Sequence, residues 1–433
     1  MSIKRRTFLK ALAGGMTLGS QALAARTAKP RLRRKGGVVK KLVVVFQRGG
    51  NDALNTLVPV DATQYNLYRN LRPTLGFTTN QLSPVPNNSF FRMHPALNPM
   101  SGLISGGDLS MIHAVGYPDS DRSHFESQAY YETAIPGNSL SSGWLNRFLQ
   151  NSTSPLNPEP PIRGIHIGSN IPQAASGQVS VPVSNNFGRL RLEVDGALDD
   201  TREAALREEI RNIYNLDITG SNDRVYGTGR KIFQMLDNFA DRDLDDYVPE
   251  NGAVYPDSRL GERVAHAAQM LKDDNPLGIE VVTIDQGGYD THAGQVNPNN
   301  LTSLDTPHME LLDELSRSMV AFYQDMGATR MDDILFLVVT EFGRRAYQND
   351  SNGTDHGTGA LAMVMGGPTN GQMINGGGNW PSLASLYRGH DLGWVTDFRD
   401  IYWEILRNHM GMNDNDLQAV IPGHTYSPVG FIP

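Results

Sequence analysis

Long apolar runs, rather than strict alternation, organise this chain. Lys41-Leu42-Val43-Val44-Val45-Phe46 is rich in β-branched residues, uninterrupted, and closed by Gly49-Gly50, the pattern of a strand buried on both faces. Similar runs at Leu109–Val115, Ile279–Ile284, Ile334–Thr340 and Leu361–Met365 predict four more strands. Between them, apolar positions recur at helical spacing over Ser123–Thr133, Thr201–Asn215, Tyr226–Phe239, Ser258–Lys272, Leu304–Met326 and Asp397–Met410. Strands alternating with helices predict an α/β fold with a mostly parallel central sheet and helices on both faces. Pro73–Asn98 and Asn151–Asn186, rich in Pro, Asn, Ser and Gly, read as long surface loop insertions, and loops of that length often line an active site.

The amino terminus changes the picture. Lys4-Arg5-Arg6-Thr7-Phe8-Leu9-Lys10 reads as a twin-arginine signal, followed by a short apolar run from Ala11 to Leu18 and a small-residue exit at Ala22-Leu23-Ala24. The expected organisation is a signal peptide over residues 1–24, a basic linker over 25–40 and one α/β domain over 41–433. No apolar stretch reaches the ~20 residues of a membrane span, so the reading is a periplasmic or extracellular protein that meets the twin-arginine translocon only during export. The formal charge is −8 and the leader carries only cations, so the mature chain is more acidic still, which argues against nucleic acid as a partner. Arg26, Lys29, Arg31, Arg33, Arg34, Lys35, Lys40 and Lys41 crowd the segment leading into the first strand and read as a solvated linker, with contact to anionic lipid or wall polymer as the alternative. With no Cys, there are no disulfides in an oxidising compartment.

Acid and imidazole residues gather where an open parallel sheet places its ligands, beyond the carboxyl ends of the strands. Asn51-Asp52 follows the first run, Ser123-His124 the second, and Asp290-Thr291-His292 the third; Glu341 closes the fourth, and Asp355-His356 lies in the loop after it. Oxygen and imidazole ligands suit a divalent metal, with Zn, Mn, Mg and Ca all open. Each residue has a plainer reading. Asp52 can accept turn amides, Asp290 and His292 can be a hydrogen-bonded pair after Gly287-Gly288, and Glu341 can pair with Arg344 or Arg345. Ser123-His124-Phe125-Glu126 fits a capping box, while a hydroxyl at a helix start can equally be a nucleophile. His124 is open as ligand or acid/base, and Arg48, Arg122 and Arg344 are the cations placed to steady anionic charge. There is no dinucleotide glycine fingerprint after a strand.

Arg48-Gly49-Gly50-Asn51-Asp52-Ala53-Leu54-Asn55-Thr56, Met93-His94-Pro95-Ala96-Leu97, Arg122-Ser123-His124-Phe125-Glu126-Ser127-Gln128, Asp290-Thr291-His292, Thr340-Glu341-Phe342-Gly343-Arg344 and Thr354-Asp355-His356-Gly357 together resemble the exported domain of unknown function 1501, from about Lys41 to near the C-terminus. That family distantly resembles the alkaline phosphatase and sulfatase superfamily. The resemblance implies an alkaline phosphatase-like fold, with Asp52, Asp290, His292, Glu341, Asp355 and His356 as metal ligands and Ser123, His124 and Arg344 as catalytic residues. Phe342 stands where the superfamily pattern has a ligand His. The implied function is metal-dependent hydrolysis of phosphate or sulfate esters, with an anionic ester of polysaccharide or lipid as substrate. The rival is an exported, non-catalytic binding or assembly protein that keeps the fold.

Overall fold

Among the described residues twelve strands form in chain order: β1 (Lys41–Gln47), β2 (Leu57–Pro59), β3 (Ser83–Pro84), β4 (Phe91–Met93), β5 (Leu109–Gly116), β6 (Gly164–Ile167), β7 (Val183–Ser184), β8 (Val281–Gln286), β9 (Ile334–Thr340), β10 (Ala360–Gly366), β11 (Met373–Ile374) and β12 (Thr396–Asp397). The computed structural model describes residues 38–137, 142–187, 200–216, 223–240, 247–272 and 277–433. The expected twin-arginine signal and most of the basic linker lie outside the described residues. Among the described residues no helix is long and apolar enough to cross a membrane.

The central sheet runs β11-β5-β10-β9-β1-β8-β6-β7, with β12 also paired to β5. β1 pairs in parallel with both β8 and β9, and β10 is antiparallel to both of its neighbours. The reversed β10 matters for function. β9 ends at Thr340 and β10 starts at Ala360, so the whole 341–359 connection stays at one edge of the sheet, beside the carboxyl ends of β1 and β8.

The uninterrupted apolar run of β1 has a direct cause in the layers above and below it. Val43 and Val45 point into one core with Val264 and Leu271 of the helix Arg259–Leu271 and Leu312, Met319 and Phe322 of Pro307–Met331. Leu42, Val44 and Phe46 point into the other, with Tyr131, Trp144, Phe148, Ile401, Tyr402 and Leu417. Both pleat faces are therefore dry, and alternation is lost.

Three expectations need correction. Asn151–Asn186 is not a loop throughout, because it holds β6 and β7, which extend the sheet beyond β8. β6 is only Gly-Ile-His-Ile, and its polar His166 is buried by pairing Nδ1 with Thr283 Oγ1 at 2.9 Å; a short strand carrying a His gives little periodic signal. Pro73–Asn98 supplies β3 and β4, which join β2 in a small three-stranded sheet, and buries Leu75, Phe77, Leu82 and Val85. The last predicted helix is shorter as well: Asp397 caps it by accepting from the Arg399 amide, it is α-helical over Phe398–Glu404, and it closes in a π turn over Ile405–His409.

Candidate metal centre

The loop after β1 makes the site possible by passing close to two others. A side chain at Gly49, where φ is +118°, would meet the Asp290 backbone nitrogen at 2.3 Å, and one at Gly50, where φ is +81°, would meet the Phe342 ring at 2.5 Å. Both positions need glycine for conformation and for space. Three loops, after β1, β8 and β9, are thereby pressed together.

On that platform three imidazoles surround one carboxylate. His124 opens the helix His124–Thr133, and its Nδ1 lies 2.9 Å from Glu341 Oε1. His292 Nδ1 lies 3.1 Å from Asp355 Oδ1, and His356 Nδ1 lies 2.8 Å from the Arg122 carbonyl oxygen. Each partner is an acceptor, so in the neutral ring each Nδ1 carries the proton and each Nε2 presents a lone pair. The three Nε2 atoms converge on Asp290: His124 at 3.4 Å from Oδ2, His292 at 3.1 Å and His356 at 3.0 Å from Oδ1. One ligand atom from each of His124, Asp290 and His356 lies within 4.8 Å of the others.

This arrangement fits a metal on its chemistry. His292 Nε2 and His356 Nε2 are 2.9 Å apart, and with both Nδ1 protons committed elsewhere two lone pairs face each other, which calls for a cation between or beside them. His124 Nε2 is buried and has no hydrogen-bond partner among the described residues. Tying Nδ1 to a carboxylate or carbonyl so that Nε2 faces a metal is the usual outer-shell device for metal-binding histidines. Side-chain exposure of 47% for Asp290 and 45% for His292, against 28% for His124 and 21% for His356, leaves the cluster open on one side.

The electrostatics agree. Burial alone would push the Asp290 carboxyl up, but the Arg344 hydrogen bond, His356 and the Arg344 charge hold it well below the usual carboxylate range. The hydrogen bond to Glu341 raises His124 against the effect of burial, whereas burial lowers His356. A carboxylate that stays ionised beside imidazoles of differing basicity is compatible with a bound cation.

The other sequence candidates stand behind this cluster, not in it. Glu341 is fully buried and accepts from the Gly49 amide at 2.8 Å, from Gln128 Nε2 at 2.9 Å and from His124; it orients the His124 ring. Asp355 does the same for His292, held by Asn349 Nδ2 at 3.2 Å. Asp52 is the larger correction. Its side chain is 1% exposed, and it takes both Nη atoms of Arg72 at 2.7 and 2.9 Å and Gln295 Nε2 at 2.6 Å. Gln295 in turn accepts from Thr291 and Thr354, so Asp52 braces from below the two loops that carry His292 and His356.

Arg344 is likewise a brace. Its side chain is fully buried, donating to the carbonyls of Gly49, Gly50, Tyr289 and Thr354 and to Asp290 Oδ1 at 2.8 Å, so it does not reach a ligand in the open site. Arg48 pairs with Glu132 and Asp285. Ser123 precedes the helix as its N-cap residue but makes no side-chain cap hydrogen bond, so the capping-box reading fails. Phe342 packs its ring against His124 and His356, with centroids 5.0 and 4.7 Å away, and walls the cluster on its inner side. Gln128, Asn349 and Gln295 were missed in the sequence because an amide that serves only as a brace has no spacing signature.

The sheet, its covering helices and the histidine–aspartate cluster at its carboxyl edge define an α/β protein with a candidate metal site. The chain belongs to the DUF1501 family, described as proteins of unknown function, whose profile matches residues 109–417. That span begins at β5, so the loop after β1 lies outside it. No curated protein sequence matches the chain. Among solved structures, similarity is found to an alkaline phosphatase from the Antarctic bacterium TAB5, at 12% identity and TM-score 0.32, covering 86% of this chain and 98% of that one. A variant of that phosphatase with Mg bound matches at 10% identity and TM-score 0.31 over the same shares. Ps i-CgsB, in complex with k-i-k-neocarrahexaose, matches at 10% identity and TM-score 0.36, covering 88% of this chain and 74% of that one.

Proposed function

We propose that this protein is an exported, metal-dependent hydrolase of phosphate or sulfate esters whose metal is held by Asp290, His124, His292 and His356. The observation that carries the reading is the shared orientation of the three imidazoles, each with Nδ1 bonded to an oxygen and Nε2 turned to one carboxylate. An imidazole-rich set with one carboxylate favours Zn or Mn over Mg or Ca, which prefer all-oxygen shells. Bound there, the cation would supply Lewis-acid polarisation of an ester oxygen.

The chain's own residues supply the rest. Ser123 sits immediately before His124, at the amino end of an α-helix, with its hydroxyl relieved of capping; that position favours developing negative charge, and Ser123 is the nucleophile in this reading. Arg122 has a side chain 31% exposed; its Nη1 is buried 3.8 Å from Asp391, and the exposed remainder of the guanidinium is the part offered to an anionic ester in this reading. Glu341 and Asp355 fix two ring orientations, and Arg344 ties Asp290 to the loop after β1.

Residues 41–433 act as one unit in this proposal, delivered outside the cytoplasm by the Arg5-Arg6 signal with its metal already loaded. The rival, an exported binding protein, is favoured by Phe342, whose ring occupies the inner side of the cluster. Elemental analysis of protein purified without chelator, combined with a panel of phosphate and sulfate esters, decides between them. About one equivalent of a transition metal, lost together with turnover in Asp290→Ala, is the expected result. Metal without turnover on any ester selects the binding protein, and no metal uptake on titration removes both the ligand set and the hydrolase.

A further inference from the structure

A second polar cavity, of about 460 Å³, opens at the carboxyl ends of β6 and β8, lined by Arg48, His166, Ser169, Asn170, Arg259 and Arg263 among others. It adjoins the metal centre. Gly287 lines it and is three residues before Asp290, a separation of no more than about 11 Å along the chain. Arg48 lines it with its side chain while its carbonyl accepts from the Tyr289 amide at 3.2 Å.

The charges in this cavity are unevenly matched. Its acids are already engaged: Asp285 Oδ1 takes Arg48 Nε and Nη2 at 3.1 and 2.9 Å, and Glu314 takes the Leu260 amide and Gln286 Nε2 at 3.0 and 2.9 Å. Among the described residues Arg263 donates to neutral oxygens, the Asp285 carbonyl at 2.9 Å and Asn185 Oδ1 at 3.1 Å. Arg259 is exposed and makes no hydrogen bond or ion pair among the described residues. The two stand one turn apart at the start of the helix Arg259–Leu271. Like charges at that spacing repel, and cations at a helix amino end oppose its dipole; Asp285, Glu314 and Glu262 offset the Arg263 charge, whereas Arg259 is left without a hydrogen bond or ion pair among the described residues.

We propose that this cavity is a second anion subsite, in which Arg259 and Arg263 hold a sulfate or phosphate group borne by the same substrate whose ester is presented to the metal centre. Its volume suits a sugar-sized unit, and Ser169 and Asn170 offer hydrogen bonds to hydroxyl groups. Leu260 is the one large aliphatic side chain in the lining, so an acyl chain has no apolar wall to lie on. The substrate class is therefore a multiply charged carbohydrate and not a lipid. This specificity rests on the hydrolase reading, but binding at the subsite does not.

The test uses full-length Asp290→Asn protein, so that the metal centre contributes as little as possible. It is titrated calorimetrically at low salt with a multiply sulfated trisaccharide, its unsulfated parent and phosphatidylglycerol vesicles. Saturable binding of the sulfated sugar, none of the parent, and at least tenfold weakening in Arg259→Ala/Arg263→Gln is expected. Arg259→Ala alone, on an exposed side chain that does not endanger folding, gives a smaller weakening in the same direction. Equal affinity in the double variant, equal binding of the unsulfated parent, or binding confined to vesicles overturns the proposal. Persistent ester turnover in Asp290→Ala would remove the hydrolase centre and leave this titration untouched.

Discussion

Asp290 and Asp52 follow neighbouring parallel strands, β8 and β1, and both end up at the same edge of the sheet, yet they do different work. Asp52 has every strong contact a carboxylate can make with protein, from both Nη atoms of Arg72 and from Gln295, at 1% exposure. Asp290 has one arginine, a half-exposed side chain and three imidazole lone pairs directed at it. The difference lies in what else claims the oxygens. A buried carboxylate with a bidentate arginine is satisfied as it stands, whereas Asp290, held by Arg344 through one oxygen only, keeps room for a further cation.

The sharpest way to break this comparison is to remove each acid in turn. Asp290→Ala is expected to abolish stoichiometric metal binding and ester turnover while the protein stays folded, as read by elemental analysis and circular dichroism. Retained metal would mean that the imidazoles do not need Asp290, and the contrast would lose its functional half. Asp52→Ala is expected to act on folding instead, because it strands the fully buried Arg72 charge. Removing one member of such a pair costs about 3–5 kcal/mol, measurable by urea denaturation.

The pH dependence of Asp52 follows with a definite sign. Burial would raise its carboxyl, but the Arg72 charge and hydrogen bonds, with help from Gln295, hold it below the ordinary value of 3.8. A depressed carboxylate contributes stability that is present above the unfolded value and lost as the pH falls through the folded one. The stability gap between wild type and Asp52→Asn should therefore be full at pH 7 and begin to close below about pH 4. A gap that stays constant down to pH 3 would show that the Asp52 charge is not what is lost.

Much of this was legible in the sequence, for a physical reason. Strands buried on both faces write long apolar runs, so β1, β5, β8, β9 and β10 were read within about two residues of their observed ends. The clustering of Asp290, His292, His124 and His356 also followed, because the carboxyl edge of a parallel sheet gathers the loops that carry them. What did not follow was which acid faces the three imidazoles and which ones brace the loops from behind. Asp52, Glu341 and Asp355 occupy equivalent loop positions in sequence, and their roles depend on partners at Arg72, Gln128 and Asn349 that no local pattern connects to them. The reversal of β10 was hidden as well, since a buried strand reads the same in either direction.

A finer test separates ligand from brace inside the site. Glu341→Gln and Asp355→Asn keep shape but weaken the grip on the His124 and His292 Nδ1 protons. Outer-shell changes of this kind typically cost 10–100-fold in metal affinity, so both variants should bind metal more weakly in competition with a chelator, yet still reach one equivalent at saturation. A loss as complete as in Asp290→Ala would make these residues direct ligands after all.

The smallest structural effect belongs to Ser123, and it isolates the chemistry from everything above. Its hydroxyl makes no cap hydrogen bond, so Ser123→Ala forgoes the roughly 1 kcal/mol that loss of a working N-cap would cost and should change stability by less than about 0.5 kcal/mol. Metal content should be unchanged, because neither the imidazoles nor their partners involve this side chain. Turnover of the ester should nevertheless fall by orders of magnitude if the Oγ attacks, since no neighbouring group replaces it. A variant that keeps its metal, its stability and its full rate would assign Ser123 to the wall of the site and leave the attack to water, with the ligand set of His124, Asp290, His292 and His356 unaffected.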